Sequence, residues 1–181
     1  FLMAAPISAT SSAIMSRVNG TATLGKISAD GAGKAWFPAL LEKQIDGYFC
    51  CYGQLISDRQ TNRLVYTYLY RNQFLVIDTN MNLLYKGNTI DTISRAKIRS
   101  QRIDEHTFSI VSPPMAVNQR SCTRHGKLYI YSNMRAANET KYVFRNNAVV
   151  DVYRLEDGNY LHSFYIPNRY GSKMLDFRVY D

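Results

Sequence analysis

The chain has 181 residues, of which 46% are hydrophobic, 20% charged and 13% aromatic. This composition excludes a disordered tail, a collagen-like fibre and a coiled coil, and the length favours one globular domain with its own core. The formal net charge of +8 favours anionic partners, but the basic residues spread from Arg17 to Arg178 without one long cluster, which argues against nucleic acid.

The first residues of the chain fit two interpretations. Residues 1–9 are mostly apolar and resemble either the end of a signal peptide or a first strand. Residues 14–19 and 21–28 then predict a hairpin around Asn19-Gly20, a dipeptide typical of two-residue turns. We interpret this hairpin as the outer strands of a sheet whose inner strands are absent. Pro38 opens the one predicted helical piece, residues 38–43, because proline suits the first helical position.

Two later stretches repeat one pattern of short strands separated by turns. Their β-branched and aromatic residues are strong strand formers, so each stretch predicts an antiparallel meander. The predicted strands are residues 64–70, 73–78 and 81–86 in the first meander and residues 127–132, 148–153 and 160–166 in the second. A last predicted strand, residues 174–180, begins a further repeat.

Repeated meanders of this size predict an all-β fold, a β-propeller built from four-stranded antiparallel blades. The whole chain, residues 1–181, would form a single partial propeller of about three blades. The approximate blades are residues 10–50, 51–105 and 106–170, with a further blade starting in residues 171–181. Because propellers close with about four to eight blades, we expect missing blades or a second copy to cover the apolar blade faces. No apolar run is long enough to span a bilayer.

Five sequence motifs carry a family resemblance that covers about residues 50–181. They are NRLVYTYLYRNQF at residues 62–74, TIDT at 89–92, LYIYS at 128–132, VDVY at 150–153 and YLHSFYI at 160–166. Together they resemble the C-terminal half of TolB-like or NHL-like six-bladed β-propeller proteins of the Bacteroidetes. The resemblance implies an exported protein, often a lipoprotein, in the periplasm or at the cell surface, with no assigned activity. The chain departs from that family in having no lipoprotein cysteine near its start.

Catalytic and metal-binding motifs are missing from the sequence. The histidines His106, His125 and His162 lie far apart, and no metal-ligand spacing or nucleophile elbow is present, so no catalytic residue, metal or cofactor is predicted. Residues 104–106, Asp-Glu-His, are interpreted as a solvated turn. The alternation of Tyr160, His162 and Phe164 places the three on one strand face and favours a structural histidine.

The three cysteines are predicted to be buried, reduced thiols. Cys50 and Cys51 are adjacent, which disfavours an ordinary disulfide between them. Cys122 is the one thiol near cations that could lower its pKa, although a packed strand cysteine is the preferred interpretation.

Three aspartates follow or interrupt predicted strands. Asp78, Asp91 and Asp151 are interpreted as residues that bond backbone groups between adjacent strands, and residues 89–92, which include Asp91, are interpreted as a turn fixed in this way.

One basic surface is the candidate ligand-binding site. If residues 96–103 are extended, Lys97 and Arg99 share a face, and a second basic group follows across the next connection. The candidate residues are Arg95, Lys97, Arg99, Arg120, Arg124 and His125. They would meet sulfate, carboxylate or phosphate groups, whereas the alternative is an ordinary charged edge strand that resists aggregation.

These patterns favour a binding scaffold for a protein, peptide or glycan over an enzyme. The first alternative is a hydrolase or lyase with its site at the channel mouth, because propellers host catalysis as readily as binding. The second is a binder of anionic polymer through the basic edge. The first alternative requires side chains that converge on one pocket, and the candidates are Asp91, Asp104, His106, His125 and Asp151.

Overall fold

The computed structural model describes residues 2–104, 108–112, 114–169 and 171–180. These residues form three four-stranded antiparallel sheets and one two-stranded ribbon. Within each four-stranded sheet the strands lie side by side in chain order, so each sheet is a meander. The predicted all-β class is confirmed.

The first sheet contains the predicted hairpin. Its strands are β1 (Met3–Pro6), β2 (Ser11–Val18), β3 (Thr21–Ser28) and β4 (Lys34–Phe37). Asn19 and Gly20 both have positive φ, 48° and 76°, as a two-residue turn between twisted strands requires. The expectation that the inner strands are absent is wrong, because β2 and β3 are the two middle strands of a complete sheet.

The second and third sheets correspond to the two predicted meanders. The second sheet comprises β5 (Gly53–Asp58), β6 (Arg63–Tyr68), β7 (Gln73–Asp78) and β8 (Leu83–Asn88). The ribbon follows as β9 (Ser100–Arg102) and β10 (Phe108–Ile110). The third sheet comprises β11 (Asn118–Arg124), β12 (Lys127–Ser132), β13 (Asn147–Arg154) and β14 (Tyr160–Pro167). The second and third sheets therefore each have one strand more than the three predicted for each meander, namely β5 and β11 at their starts.

Helical structure within the described residues is short. A 3-10 turn covers Phe49–Cys51, and the helix α1 (Lys141–Asn146) lies between β12 and β13. The helix begins where the Thr140 hydroxyl accepts a hydrogen bond from the Val143 N–H. Residues 38–43 form turns and bends rather than the predicted helix, because Leu40 and Leu41 anchor this connection in the core. No helix in this part of the chain has the length and apolarity needed to cross a membrane.

The second sheet is buried on both faces. Because side chains alternate along a strand, neighbouring residues of β6 and β7 enter different cores. The core shared with the first sheet includes Leu64, Tyr66, Leu75, Met15 and Leu24. The core shared with the third sheet includes Val65, Phe74, Val76, Leu128, Ile130 and Tyr153. The second sheet therefore lies between the other two.

The three sheets meet along their first strands. β1 contacts β5, and β5 contacts β11. The Gln54 side-chain oxygen accepts hydrogen bonds from the Ser121 N–H at 2.7 Å and the Ser121 hydroxyl at 3.0 Å. Further along, the Thr123 hydroxyl donates to the Ser57 carbonyl at 3.1 Å. The contacting residues rise in number along both strands, from Gln54 with Ser121 to Ser57 with Thr123, so β5 and β11 run parallel. Side-chain hydrogen bonds join these two strands, which belong to different sheets.

The predicted strand at residues 174–180 does not form. The segment has no secondary structure, and its side chains Leu175 and Tyr180 are 84% and 82% exposed. A strand needs a neighbour for its backbone N–H and C=O groups, and no strand of the described chain pairs with this segment. It passes beside β11, where the Val179 backbone interacts with the Cys122 thiol.

Candidate functional site

A cavity of about 600 Å³ opens between the second and third sheets. One wall is the loop after β8, and the other walls are β13, β14 and the connection that precedes α1. The polar residues that line it are Asp91, Thr92, Ser132 at the end of β12, Arg135, Asn138, Glu139, Asp151, Tyr160, Ser163 and Tyr165. Its size and its mixture of aromatic and polar groups are those of a small-molecule pocket.

Asp151 is the most buried carboxyl of this cavity. It lies on β13, is 2% exposed, and its Oδ1 accepts a hydrogen bond of 2.5 Å from the Ser163 hydroxyl. Burial raises the pKa of Asp151, and the nearby carboxylates of Asp91 and Glu139 raise it further. The Ser163 and Ser132 hydroxyls oppose this shift. The folded state therefore disfavours the ionised form of Asp151 relative to the unfolded chain.

The three aspartates predicted to bond backbone groups differ in their roles. Asp78 accepts hydrogen bonds from the N–H groups of Asn80 and Asn82, so its predicted role is confirmed. Asp91 accepts from the Ile93 N–H at 2.8 Å, which confirms its role too. The prediction for Asp151 is wrong, because its bonds go to side-chain hydroxyls.

Glu139 lies at the end of the connection before α1 and is 7% exposed. Its Oε2 accepts a hydrogen bond from the Ala136 N–H at 3.3 Å, and the Arg135 guanidinium donates to its backbone carbonyl. Its Oε1 is buried and accepts no well-formed hydrogen bond from the described residues. Tyr165 is a close neighbour: partial desolvation raises the pKa of its hydroxyl, and its hydrogen-bonding interaction with the Glu139 carboxylate and the charge of that group raise it further.

A β-bulge places Tyr160 in the cavity. In the β13–β14 register, Val152 pairs with His162 and Tyr153 pairs with Tyr160, so Leu161 is an extra residue. Tyr160 therefore shares a face with Tyr153, towards the second sheet, and the predicted shared face of Tyr160 and His162 is wrong. Bulges redirect side chains in this way and are common beside functional sites.

Lys97 and Arg99 are exposed on the predicted basic segment. Residues 95–99 alternate, with Ala96 and Ile98 buried in the first core and Arg95, Lys97 and Arg99 exposed. The segment precedes β9, and the Ala96 N–H donates to the Gln44 side chain at 2.9 Å. The basic segment therefore lies beside the connection that contains Gln44 and leads into β5.

The second basic group lies along β11 and its turn. Arg120 is exposed near the start of β11, Arg124 is half-buried at its end, and His125 is exposed in the turn that follows. The His125 N–H donates to the Gln60 side chain at 2.9 Å, in the turn that follows β5. The six predicted residues are thus spread from one end of β5 to the other, and their role in binding stays a prediction.

Two of the five predicted pocket residues lie together. Asp91 and Asp151 line the cavity, whereas His125 lies at the turn between β11 and β12. Asp104 is exposed, and His106 lies outside the described residues. Within the described chain, no group of three or more histidine, cysteine, aspartate or glutamate side chains is arranged to hold a metal.

The three cysteines are free and buried, as predicted. The Sγ atoms of Cys50 and Cys51 are 3.8 Å apart. Burial raises the pKa of the Cys122 thiol to about 11, so the neighbouring cations do not activate it.

The sequence pattern missed Glu139, Arg135, Tyr165 and Ser163 as site residues. Glu139 and Arg135 lie in a connection without periodicity, and Ser163 and Tyr165 follow the bulge in β14. The chain matches no protein-family model and no curated protein. The cavity geometry is therefore the basis for assigning a function.

Proposed function

We propose that the chain is part of a β-propeller that acts as a ligand-binding scaffold, with its binding site in the cavity between the second and third sheets. The observation that carries this proposal is Asp151, an ionisable group that is 2% exposed and lines a cavity of about 600 Å³. Burying a carboxyl group costs folding free energy. Buried groups with shifted pKa values are common at functional sites.

Three features support the propeller. The second sheet packs a different neighbour on each face, the sheets meet along their first strands, and β5 and β11 run parallel. Blades arranged around a central channel have all three properties. In this arrangement the three four-stranded sheets are three blades, and residues 174–180 occupy the place of the next blade's first strand, beside β11. Further blades, or a second copy, would then pair with this segment.

The family resemblance extends the proposal to compartment and ligand. A TolB-like or NHL-like propeller of the Bacteroidetes type would be exported and would reside in the periplasm or at the cell surface. Protein, peptide and glycan ligands are compatible with such a location. As a scaffold, the chain would hold Asp151 and Ser163 on the paired strands β13 and β14, which limits the entropy lost on binding.

A second candidate function is a hydrolase or lyase that uses the same cavity. Asp91 and Asp151 both line it, and the raised pKa of Asp151 is a property of general acids. Turnover of a bound substrate, abolished by Asp151→Asn with binding retained, would favour the enzyme. Binding without turnover would favour the scaffold.

Thermal shift measurements test the binding site. We would assay four ligand classes, namely amines, carboxylates, phosphates and saccharides, against the wild type and Ala137→Trp. Ala137 is exposed and lines the cavity, so tryptophan there narrows the entrance without disturbing a core. We expect at least one class to raise the Tm of the wild type and to lose that effect in the variant. Equal shifts in both proteins, or none in either, would contradict the proposal.

A further inference from the structure

We infer that the cavity between the second and third sheets binds an organic cation, one with a primary amine or guanidinium group. This inference rests on the proposed function and names the ligand class of the same cavity. A free amine and a lysine or arginine side chain of a peptide share this chemistry, and the experiment below separates them.

The charged groups that line the cavity are mostly acidic. The charged residues that line it within the described chain are Asp91, Glu139 and Asp151 against one cation, Arg135. The whole chain carries a net charge of +8, so this acidic cavity is opposite in sign to the protein. An anionic ligand would meet three carboxyl groups at close range, which disfavours it.

Glu139 offers the cavity a buried hydrogen-bond acceptor. Glu139 is 7% exposed, its carboxylate interacts with the Tyr165 hydroxyl, and its Oε1 is buried without a well-formed hydrogen bond from the described residues. Buried polar atoms nearly always have partners, and the exceptions call for an explanation such as a ligand. An ammonium or guanidinium group carries only donors, which is what a bare carboxylate oxygen requires.

Asp151 is a second buried carboxyl group in the cavity wall. Ser163 donates to its Oδ1, but no cation of the described chain forms an ion pair with it. Burial disfavours its charge, and a neighbouring positive group would offset that effect. A bound cation supplies that group and completes the hydrogen bonding of the carboxylate.

Two tyrosine side chains form an aromatic part of the cavity wall. Tyr160 and Tyr165 line the cavity and are 43% and 51% exposed. The Tyr160 hydroxyl bonds the Ser163 hydroxyl at 2.8 Å, which orients the tyrosine beside Asp151. Cations are attracted to the faces of such rings, so the same walls stabilise an amine that reaches the carboxylates.

Calorimetric titration at low ionic strength tests the inference with four matched probes. They are putrescine, its neutral counterpart 1,4-butanediol, its anionic counterpart succinate, and agmatine, which adds a guanidinium group. We expect putrescine or agmatine to bind and the diol and succinate not to bind. Binding of the diol or succinate as tightly as the amines would overturn the inference.

Three substitutions locate the site. Glu139→Gln and Asp151→Asn should each weaken amine binding about tenfold or more, because each removes a charge-assisted hydrogen bond. Arg135→Gln should strengthen it, because Arg135 is the competing cation of the cavity. Arg135 is exposed, so this variant tests the inference even if the buried substitutions disturb folding. The control, Glu156→Gln, removes an exposed carboxylate outside the cavity and should change nothing.

The remaining outcomes separate the two proposals. If a saccharide or anion binds the wild type but not Ala137→Trp, and no amine binds, the cation inference fails and the binding cavity stands. If no probe of any class binds, both fail. Binding of agmatine as tightly as the tripeptide Gly-Arg-Gly would identify a free amine as the sufficient ligand, whereas much tighter tripeptide binding would identify a peptide; either result supports the cation.

Discussion

The hydroxyl oxygen of Tyr153 accepts a hydrogen bond of 3.0 Å from the backbone N–H of Ile90. Tyr153 belongs to β13 of the third sheet, and Ile90 follows β8 of the second sheet, so this bond joins the two sheets at the cavity. Asp91 is the next residue, and the bond therefore helps to place its carboxylate in the cavity wall. Burial raises the pKa of the Tyr153 hydroxyl, which stays protonated at neutral pH.

Tyr153→Phe should lower the free energy of unfolding by about 1 kcal/mol, the net value of a hydrogen bond between neutral groups. The ring remains in the core beside Phe74, so the change isolates the hydroxyl. Urea denaturation measures the effect, with Tyr142→Phe as the control because Tyr142 is exposed on α1. Equal effects of the two substitutions would show that the bond between the sheets contributes nothing.

Asp151→Asn should stabilise the protein increasingly as the pH rises from the unfolded pKa of 3.8 towards neutrality. The folded state raises the pKa of Asp151, so it binds the proton more tightly than the unfolded chain. The stability from this protonation is complete below the unfolded pKa and is lost as the pH rises through the folded pKa. Asparagine stays neutral and avoids this loss, while it still accepts a hydrogen bond from Ser163.

The control for this prediction is Asp157→Asn. The Asn159 N–H, followed by Arg154, lowers the pKa of Asp157, so this carboxylate stabilises the fold above its unfolded pKa and loses that effect on acidification. Its asparagine variant should therefore be less stable at neutral pH, the opposite sign to Asp151→Asn. Urea denaturation across a pH series measures both, and the same sign for the two variants would refute the account of Asp151.

Cys122 should react slowly with iodoacetamide at pH 7, because the thiolate is the reactive form and the pKa of this thiol is raised to about 11. Its reaction rate should rise steeply towards that pH. Mass spectrometry of alkylated peptides gives the rate for each cysteine. A rate at pH 7 equal to that of free cysteine would contradict the raised pKa, and a faster rate would favour the alternative that neighbouring cations activate Cys122.

How much the sequence could predict depends on the side chains of each strand. β6 and β7 are runs of β-branched, aromatic and other apolar residues, so their positions could be predicted. β5 and β11 carry polar residues such as Gln54 and Ser121, which bond each other between sheets, and the pattern offered no signal for them.

The cavity could not be predicted, for two physical reasons. Glu139 lies in a connection whose path depends on tertiary contacts, such as the bond from Ala136. Tyr160 enters the cavity because Leu161 is an extra residue in β14. Simple alternation along the strand would assign Tyr160 to the opposite face, together with His162. Asp151 was identified in the sequence, but its burial and its partner Ser163 appear only in the folded chain.

Charge reversal on the predicted basic edge tests the hypothesis that the protein binds an anionic polymer. Lys97→Glu with Arg99→Glu should reduce retention on heparin no more than Lys141→Glu with Arg145→Glu, an exposed pair on α1 that changes the charge equally. We expect this equality because the basic residues are divided between the segment before β9 and the β11 strand of the third sheet with its turn. A larger loss for the first pair, with a steep dependence on salt, would assign polymer binding to the edge.

The most direct measurement of the central claim is a crystal structure of the chain grown with saturating putrescine. The account predicts electron density for the amine between the second and third sheets, with a nitrogen within hydrogen-bonding distance of Glu139 Oε1 and of the Asp151 carboxylate. Density for putrescine at another place, or a cavity that contains only water while the amine is saturating, would contradict the account.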